Sequence, residues 1–198
     1  MTMPRAVLFD LLTALLDSWS VWNASAGSEA SGRTWRAEYL RLTYGCGSYV
    51  PYEDLVRQAA RTTGLAPSVA DALEENWQSL PVWSGAQAAL DRLAGRTRLA
   101  VVTNCSTRLG RMAAARLRTQ WDVVITAEEA GFYKPDTPPI VWPWTCWACR
   151  PRTQRLSQAP ATTSSAPQPS GCAPIGTIAW AWRVPMAHRQ PRENPLTR

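Results

Sequence analysis

The chain has 198 residues, 45% of them hydrophobic, which is enough for one core with an insertion and too apolar for a disordered or fibrous protein. Lys and Arg number 21 against 15 Asp and Glu, a net charge of +6. Through Asp136 the charges balance at 14 to 14, and the excess comes from seven Arg beyond it set against the lone acid Glu193, so the charge does not describe a basic folded surface.

The sequence holds no run of about 18 apolar residues, and no transmembrane helix is expected. Met-Thr-Met-Pro-Arg leads straight into a strand-like run without the charged-then-apolar order of a signal peptide, so a cytoplasmic protein is expected. The five Cys are odd in number and scattered, which favours thiols over a disulfide framework.

Ala6-Val7-Leu8-Phe9 is a short continuous apolar run that reads as a buried parallel strand delivering Asp10 at its C-terminal end. The next strand-like run, Leu99 to Val102, lies too far along for a simple crossover, and the intervening stretch reads as an inserted helical cap. Ser31 to Tyr44 carries Trp35, Tyr39, Leu40 and Thr43 at helical spacing; a helix over Glu53 to Thr63 follows Pro51, and a third over Pro67 to Trp77 begins behind Ser68 as its cap. Ala86 to Leu93 reads as a helix returning to the sheet, with Gly95 just past its end. Leu99 to Val102 ends at Thr103-Asn104-Cys105-Ser106 and is followed by an Ala-, Arg- and Leu-rich helix, and a last strand, Val123 to Thr126, precedes Ala127-Glu128-Glu129. Strands alternating with helices predict an α/β fold with a parallel, Rossmann-like sheet and a ligand site at the strand C-termini, where Asp10, Thr103 and Asn104 fall. The predicted organisation is a core of 1–17 and 82–137, a helical cap of 18–81, and a tail of 138–198.

The tail departs from this pattern. It holds 11 of the 16 Pro, shows no sustained period, and includes the polar stretch Ser157 to Ser170, so it is expected to be disordered and the sheet incomplete at its C-terminus. Its mixture of Pro, Arg, Trp, Ser, Ala and Cys is what a GC-rich gene gives when read out of frame. The one His, His188, lies there, which leaves no material for a Ser-His-Asp triad or a His-rich metal site. Cys146 and Cys149 have the spacing of half a zinc site, but no second pair follows. No Gly-rich phosphate loop is present.

Four elements remain, in chain order: Phe9-Asp10, Trp35-Arg36, Val102-Thr103-Asn104-Cys105-Ser106, and Tyr133-Lys134-Pro135-Asp136. Together they resemble the haloacid dehalogenase (HAD) superfamily of hydrolases, and within it the L-2-haloacid dehalogenases, over about Met3 to Asp136. The resemblance implies Asp10 as a nucleophile forming a covalent ester that water then cleaves, and Lys134 as the cation that keeps it ionised and offsets developing charge. Thr103 and Asn104 match the polar pair that orients carboxylate and substrate. Arg36 matches a cap arginine that binds the substrate and the departing halide, and Trp35 is expected to line the pocket beside it.

Leu12 stands where phosphatase members carry a second Asp, and an apolar side chain cannot act as a general acid. Halide leaves without protonation, so Leu12 implies carbon-halogen chemistry, or an inactive relative, over phosphoester hydrolysis; with no fourth-motif carboxylate either, no metal and no cofactor are expected. Thr13-Ala14 replaces the usual Gly-Thr after the nucleophile, which changes a turn and a hydroxyl donor. The helix with a Tyr and the strand with an acidic or Ser/Asn-rich motif that follow the Lys in the family are not legible in the tail, and activity is accordingly expected to be weak or lost. The expected partner is a small 2-haloalkanoate, with neither nucleic acid nor membrane, and a homodimer is compatible with this. The competing readings are a phosphatase-type HAD phosphoester hydrolase and a non-catalytic basic binding protein using the Arg/Trp tail.

Overall fold

The apolar run Ala6–Asp10 forms β1, and it pairs in parallel with β2, Arg98–Thr103, so that Asp10 stands beside Val102. On its other side β2 pairs with β3, Val123–Thr126, and Thr103 lies opposite Thr126. The coordinates are a computed structural model that describes Pro4, residues 6–135 and the backbone of Ala179–Trp180. That last pair forms β4, parallel to the far side of β1, giving the order β3-β2-β1-β4. The sequence reading places no strand anywhere in 138–198. The structure differs at Ala179–Trp180 because two residues carry no readable alternation and the pairing is made by backbone alone. The rest of the tail, with Cys146, Cys149, Cys172 and His188, lies outside the described residues.

Four helices separate β1 from the helix that leads into β2. Helix α1, Ser18–Ser25, begins where the Asp17 carboxylate accepts the Ser20 N–H at 3.2 Å. It is a helix that the periodicity does not reveal, being only eight residues long and carrying two Trp. Helix α2, Glu29–Gly45, starts two residues before the predicted Ser31, because Ser28 caps it by accepting the Ser31 N–H at 3.1 Å and Glu29 complements the helix dipole. Helix α3 covers Tyr52–Thr62 and α4 covers Ser68–Asn76, followed by a 3-10 turn at Trp77–Ser79. Ser68 is the first helical residue and not the expected cap; Pro67 takes that place without a side-chain bond.

The chain enters and leaves this insertion through adjacent segments. Leu16 bridges Val82, and the Asp17 N–H donates to the Pro81 carbonyl at 2.8 Å. Helix α5, Ala86–Leu93, then leads into β2. Helix α6, Thr107–Ala114, follows β2, and the single turn α7, Ala127–Ala130, follows β3 behind a capping box formed by Thr126 and Glu129.

One apolar cluster runs from the sheet into the inserted helices, with Leu11, Leu16, Trp22, Trp35, Tyr52, Trp77 and Leu109 among its buried side chains. The buried indoles find acceptors: Trp35 donates to the Val56 carbonyl and Trp77 to the Leu109 carbonyl, each at 2.9 Å, and the second bond ties the insertion to α6.

Gly110 lets α6 approach the sheet. A Cβ there would stand 2.6 Å from the Thr126 Cγ2 and 3.2 Å from the Cys105 Sγ. Thr126 cannot step aside, since its hydroxyl is engaged by Glu129 and Thr107. Gly110→Ala is therefore expected to lower unfolding free energy by about 1–2 kcal/mol in urea titrations, the overpacking cost exceeding the roughly 1 kcal/mol that Ala gains as a helix former.

Candidate active site

The turn after β1 aims two donors at one carboxylate oxygen. Leu11 is buried, and its carbonyl accepts the N–H groups of Leu15 and Leu16, folding the chain back over the end of the strand. This brings Thr13 above Asp10, where its N–H donates to Oδ2 at 2.8 Å and its hydroxyl to the same oxygen at 2.5 Å. The other oxygen, Oδ1, accepts from the Lys134 ammonium at 2.6 Å, and that ammonium also donates to the Val102 carbonyl at 2.8 Å. Burial alone would raise the Asp10 pKa. The Lys134 charge and hydrogen bond, with the two Thr13 donors, outweigh it and hold the carboxyl below its ordinary value.

Lys134 is held in place by its main chain. The Asn104 side chain accepts the Lys134 N–H at 2.7 Å and donates to its carbonyl at 2.9 Å. Gly131, with φ of 78°, ends α7 and turns the chain toward the site, and Tyr133 stacks on Tyr49 while donating its hydroxyl to the Val50 carbonyl at 2.7 Å. The loop is thus fastened to both the sheet edge and the insertion.

Arg36 approaches from α2. Its guanidinium lies 3.9 Å from the centre of the Trp19 ring, is 6% exposed, and buries its Nη1 with no hydrogen-bond partner among the described residues. Burial pulls its pKa down, while Tyr52, Tyr39, Asp10 and Asp17 push the other way, so it feels the Asp10 charge. One turn along α2, the Tyr39 hydroxyl donates to the Asn104 carbonyl at 2.9 Å.

Of the residues singled out from sequence, Asp10, Lys134 and Asn104 therefore meet directly, and Arg36 is coupled to Asp10 by charge. Asn104 grips the lysine's main chain where the resemblance implies contact with carboxylate and substrate. Thr103 is buried, and its hydroxyl lies 3.5 Å from the Cys105 Sγ with its methyl toward Gly110, so it does not reach Asp10. Trp35 packs against Trp22 with ring centres 4.4 Å apart and donates to Val56; it belongs to the core of the insertion, and Trp19 is the ring against Arg36. Leu12 is buried in the core, and its carbonyl accepts from Ser18. From sequence, Thr13-Ala14 reads as a changed hydroxyl donor, yet Thr13 itself supplies the hydroxyl. An Asp followed at the third position by Thr is a local side-chain-to-backbone turn signal that points to it. Lys134 carries a second signal, as the only Lys in the sequence.

Burial pushes the Cys105 thiol up to about 12, with the Thr103 hydroxyl pulling modestly the other way, so it remains a protonated, unreactive thiol at neutral pH. No helix among the described residues is long and apolar enough to cross a membrane. A divalent metal fits poorly at Asp10: both oxygens already have partners, one of them a cation, the Leu12 side chain has no oxygen and its carbonyl is taken by Ser18, and no cluster of three or more His, Cys, Asp or Glu among the described residues could hold an ion.

No family model and no curated protein matches the sequence. Solved structures do. An L-2-haloacid dehalogenase from Xanthobacter autotrophicus is 25% identical with a TM-score of 0.59, the match covering 67% of this chain and 60% of that one. The L-2-haloacid dehalogenase PA0810 is 25% identical with a TM-score of 0.57, over 68% and 66% of the two chains. The chain belongs to the HAD superfamily. A further dehalogenase, at 22% identity and a TM-score of 0.61, shares the fold. This HAD chain spans 60% of the length of its Xanthobacter relative, under two thirds.

The Asp10–Lys134 pair sets a pH dependence. Because the folded pKa of Asp10 is depressed, its stabilising contribution is complete above the ordinary carboxylate value of about 3.9 and is lost as pH falls through the lower folded value. Lys134→Met leaves a buried carboxylate with only Thr13. It is expected to cost about 1–3 kcal/mol in urea titrations at neutral pH, with the gap from wild type narrowing below about pH 4.

Proposed function

We propose that this HAD chain is a hydrolase of the 2-haloacid dehalogenase type, in which Asp10 displaces halide from C2 of a short 2-haloalkanoate. The observation that carries the reading is Arg36, a buried guanidinium whose Nη1 has no partner among the described residues and which feels the nucleophile's charge. A buried cation without an anion is costly, and a substrate carboxylate or a departing halide is the anion this position suits. Leu12 supports a leaving group that needs no proton and disfavours the phosphoester alternative.

In the first step an Asp10 oxygen attacks C2, the carbon-halogen bond breaks with its electron pair on the halide, and an aspartyl ester forms. Lys134 keeps the attacking carboxylate ionised, and Thr13 fixes its plane. In the second step water adds to the ester carbonyl carbon of Asp10. The oxyanion that develops falls either on the oxygen beside the Lys134 ammonium or on the one facing the two Thr13 donors, so both positions are stabilised. Collapse releases the 2-hydroxy acid, returns the carboxylate and gives up one proton.

Racemic 2-chloropropionate tests this, with halide measured by ion chromatography. Wild type is expected to release chloride in EDTA, and Asp10→Asn to lose at least about a thousandfold in rate. Arg36→Met is expected to raise KM by about tenfold or more. Single turnover in oxygen-18 water should label Asp10 before product. Magnesium-dependent turnover of p-nitrophenyl phosphate without chloride release would overturn the reading in favour of a phosphatase.

A further inference from the structure

Trp83 is 41% exposed, one of two large hydrophobic side chains so placed among the described residues, yet it is fastened to the turn that follows the nucleophile. Its main-chain N–H donates to the Leu15 carbonyl at 3.0 Å, and its indole N–H donates to the Thr13 carbonyl, also at 3.0 Å. Trp83 lies 70 positions from Thr13 in sequence, and the strap comes from the segment that carries the chain out of the insertion, next to the Leu16–Val82 bridge.

The two peptide planes flanking the Thr13 Cα are therefore each held by a hydrogen bond. Asp10 Oδ2 accepts the N–H of the plane before it, and Trp83 holds the carbonyl of the plane after it. With both planes fixed, the direction of the Cα–Cβ bond is fixed, and one χ1 rotamer of Thr13 then sets its hydroxyl against Oδ2. The turn lacks the Gly-Thr of the motif it resembles, and a clamp from outside the turn supplies the rigidity.

We propose that Trp83 is a positioning residue for the nucleophile, its indole N–H fixing Thr13 and, through Thr13, the orientation of the Asp10 carboxylate. The rate consequence rests on the dehalogenase reading above; the geometric consequence does not. Among the described residues the charged or titratable groups coupled to Asp10 are Lys134 on the loop after α7, Arg36 on α2 and Cys105 after β2, and Trp83 reaches Asp10 through Thr13.

The test is Trp83→Phe, which keeps a ring and removes the N–H, with Trp83→Tyr as a second variant should the first fold poorly. Asp10 is titrated by carbon-13 NMR of the labelled carboxyl, and chloride release from 2-chloropropionate is measured alongside. Loosened Thr13 donors should raise the Asp10 midpoint by about half a pH unit, and kcat should fall about three- to tenfold with KM changed less than about twofold. In a Thr13→Val background, where the hydroxyl is already gone, the same Trp83 substitution should have a smaller effect. An unchanged Asp10 midpoint in a variant that has merely lost thermal stability would overturn the proposal. Absence of chloride release from wild type would defeat the dehalogenase reading while leaving the titration to decide this one.

Discussion

A carboxylate and an ammonium 124 positions apart in sequence meet at 2.6 Å at the edge of the sheet, and most of the local structure can be derived from keeping them there. Neither charge is fully in water, with about a fifth of each side chain exposed, so each needs the other and neither can be satisfied by solvent alone. The parallel pairing of β1 and β2 puts the Val102 carbonyl next to Asp10, which gives the ammonium a second acceptor. The strand register is thus part of the site.

That the cation is lysine follows from the geometry. The chain uses arginine 20 times and lysine once, at this point. A guanidinium is planar and presents a fork of donors suited to two coplanar oxygens, whereas here the acceptors are one carboxylate oxygen and one main-chain carbonyl, with the other carboxylate oxygen given to Thr13. A compact ammonium with rotatable donors meets that demand. Arg36 meets the opposite demand, since a flat, weakly hydrated cation can lie on the face of Trp19 and remain buried with a donor to spare.

The parts of the molecule that are legible in sequence are those with a period or a fixed offset. The apolar runs ending at Asp10, Val102 and Thr126 announce a parallel sheet, and Ala86–Leu93 is readable to the residue. Helix α1 is not, since eight residues dominated by Trp and Ser carry too little pattern, and the start of α4 misleads because Ser next to Pro imitates a cap. In the site, identity is legible and contact is not. Asp10, Lys134 and Arg36 can be named from their motifs, but whether Asn104 bonds a substrate or a main chain depends on a side-chain direction that spacing does not encode. Trp35 and Trp19 show the same limit, because only the packing of α1 against α2 decides which ring the guanidinium covers. Thr13 has a local signal in its offset from Asp10, whereas Trp83 is hidden for another reason, as compensation for a motif residue that has changed, and compensation has no motif of its own.

How the insertion is tied to the sheet bears on what the site can tolerate. The ion pairs across this boundary, Arg108 with Glu53 and Glu74, lie on a side chain more than half exposed, and such pairs are weak and screened by salt. The firmer ties are neutral donors: the Trp77 indole to the Leu109 carbonyl, the Tyr39 hydroxyl to the Asn104 carbonyl, and the Tyr133 hydroxyl to the Val50 carbonyl. Burial raises the pKa of both hydroxyls, Tyr39 and Tyr133, so these bonds do not titrate in the neutral range. Arg36 and Tyr39 lie about one turn apart on α2, and Tyr39 rests on the residue that grips Lys134, so the two cations coupled to Asp10 among the described residues are fixed relative to each other by contacts that neither salt nor moderate pH changes disturb. On the dehalogenase reading proposed above, an anion must approach a carboxylate against Coulomb repulsion, and that requires the two cations to keep their spacing.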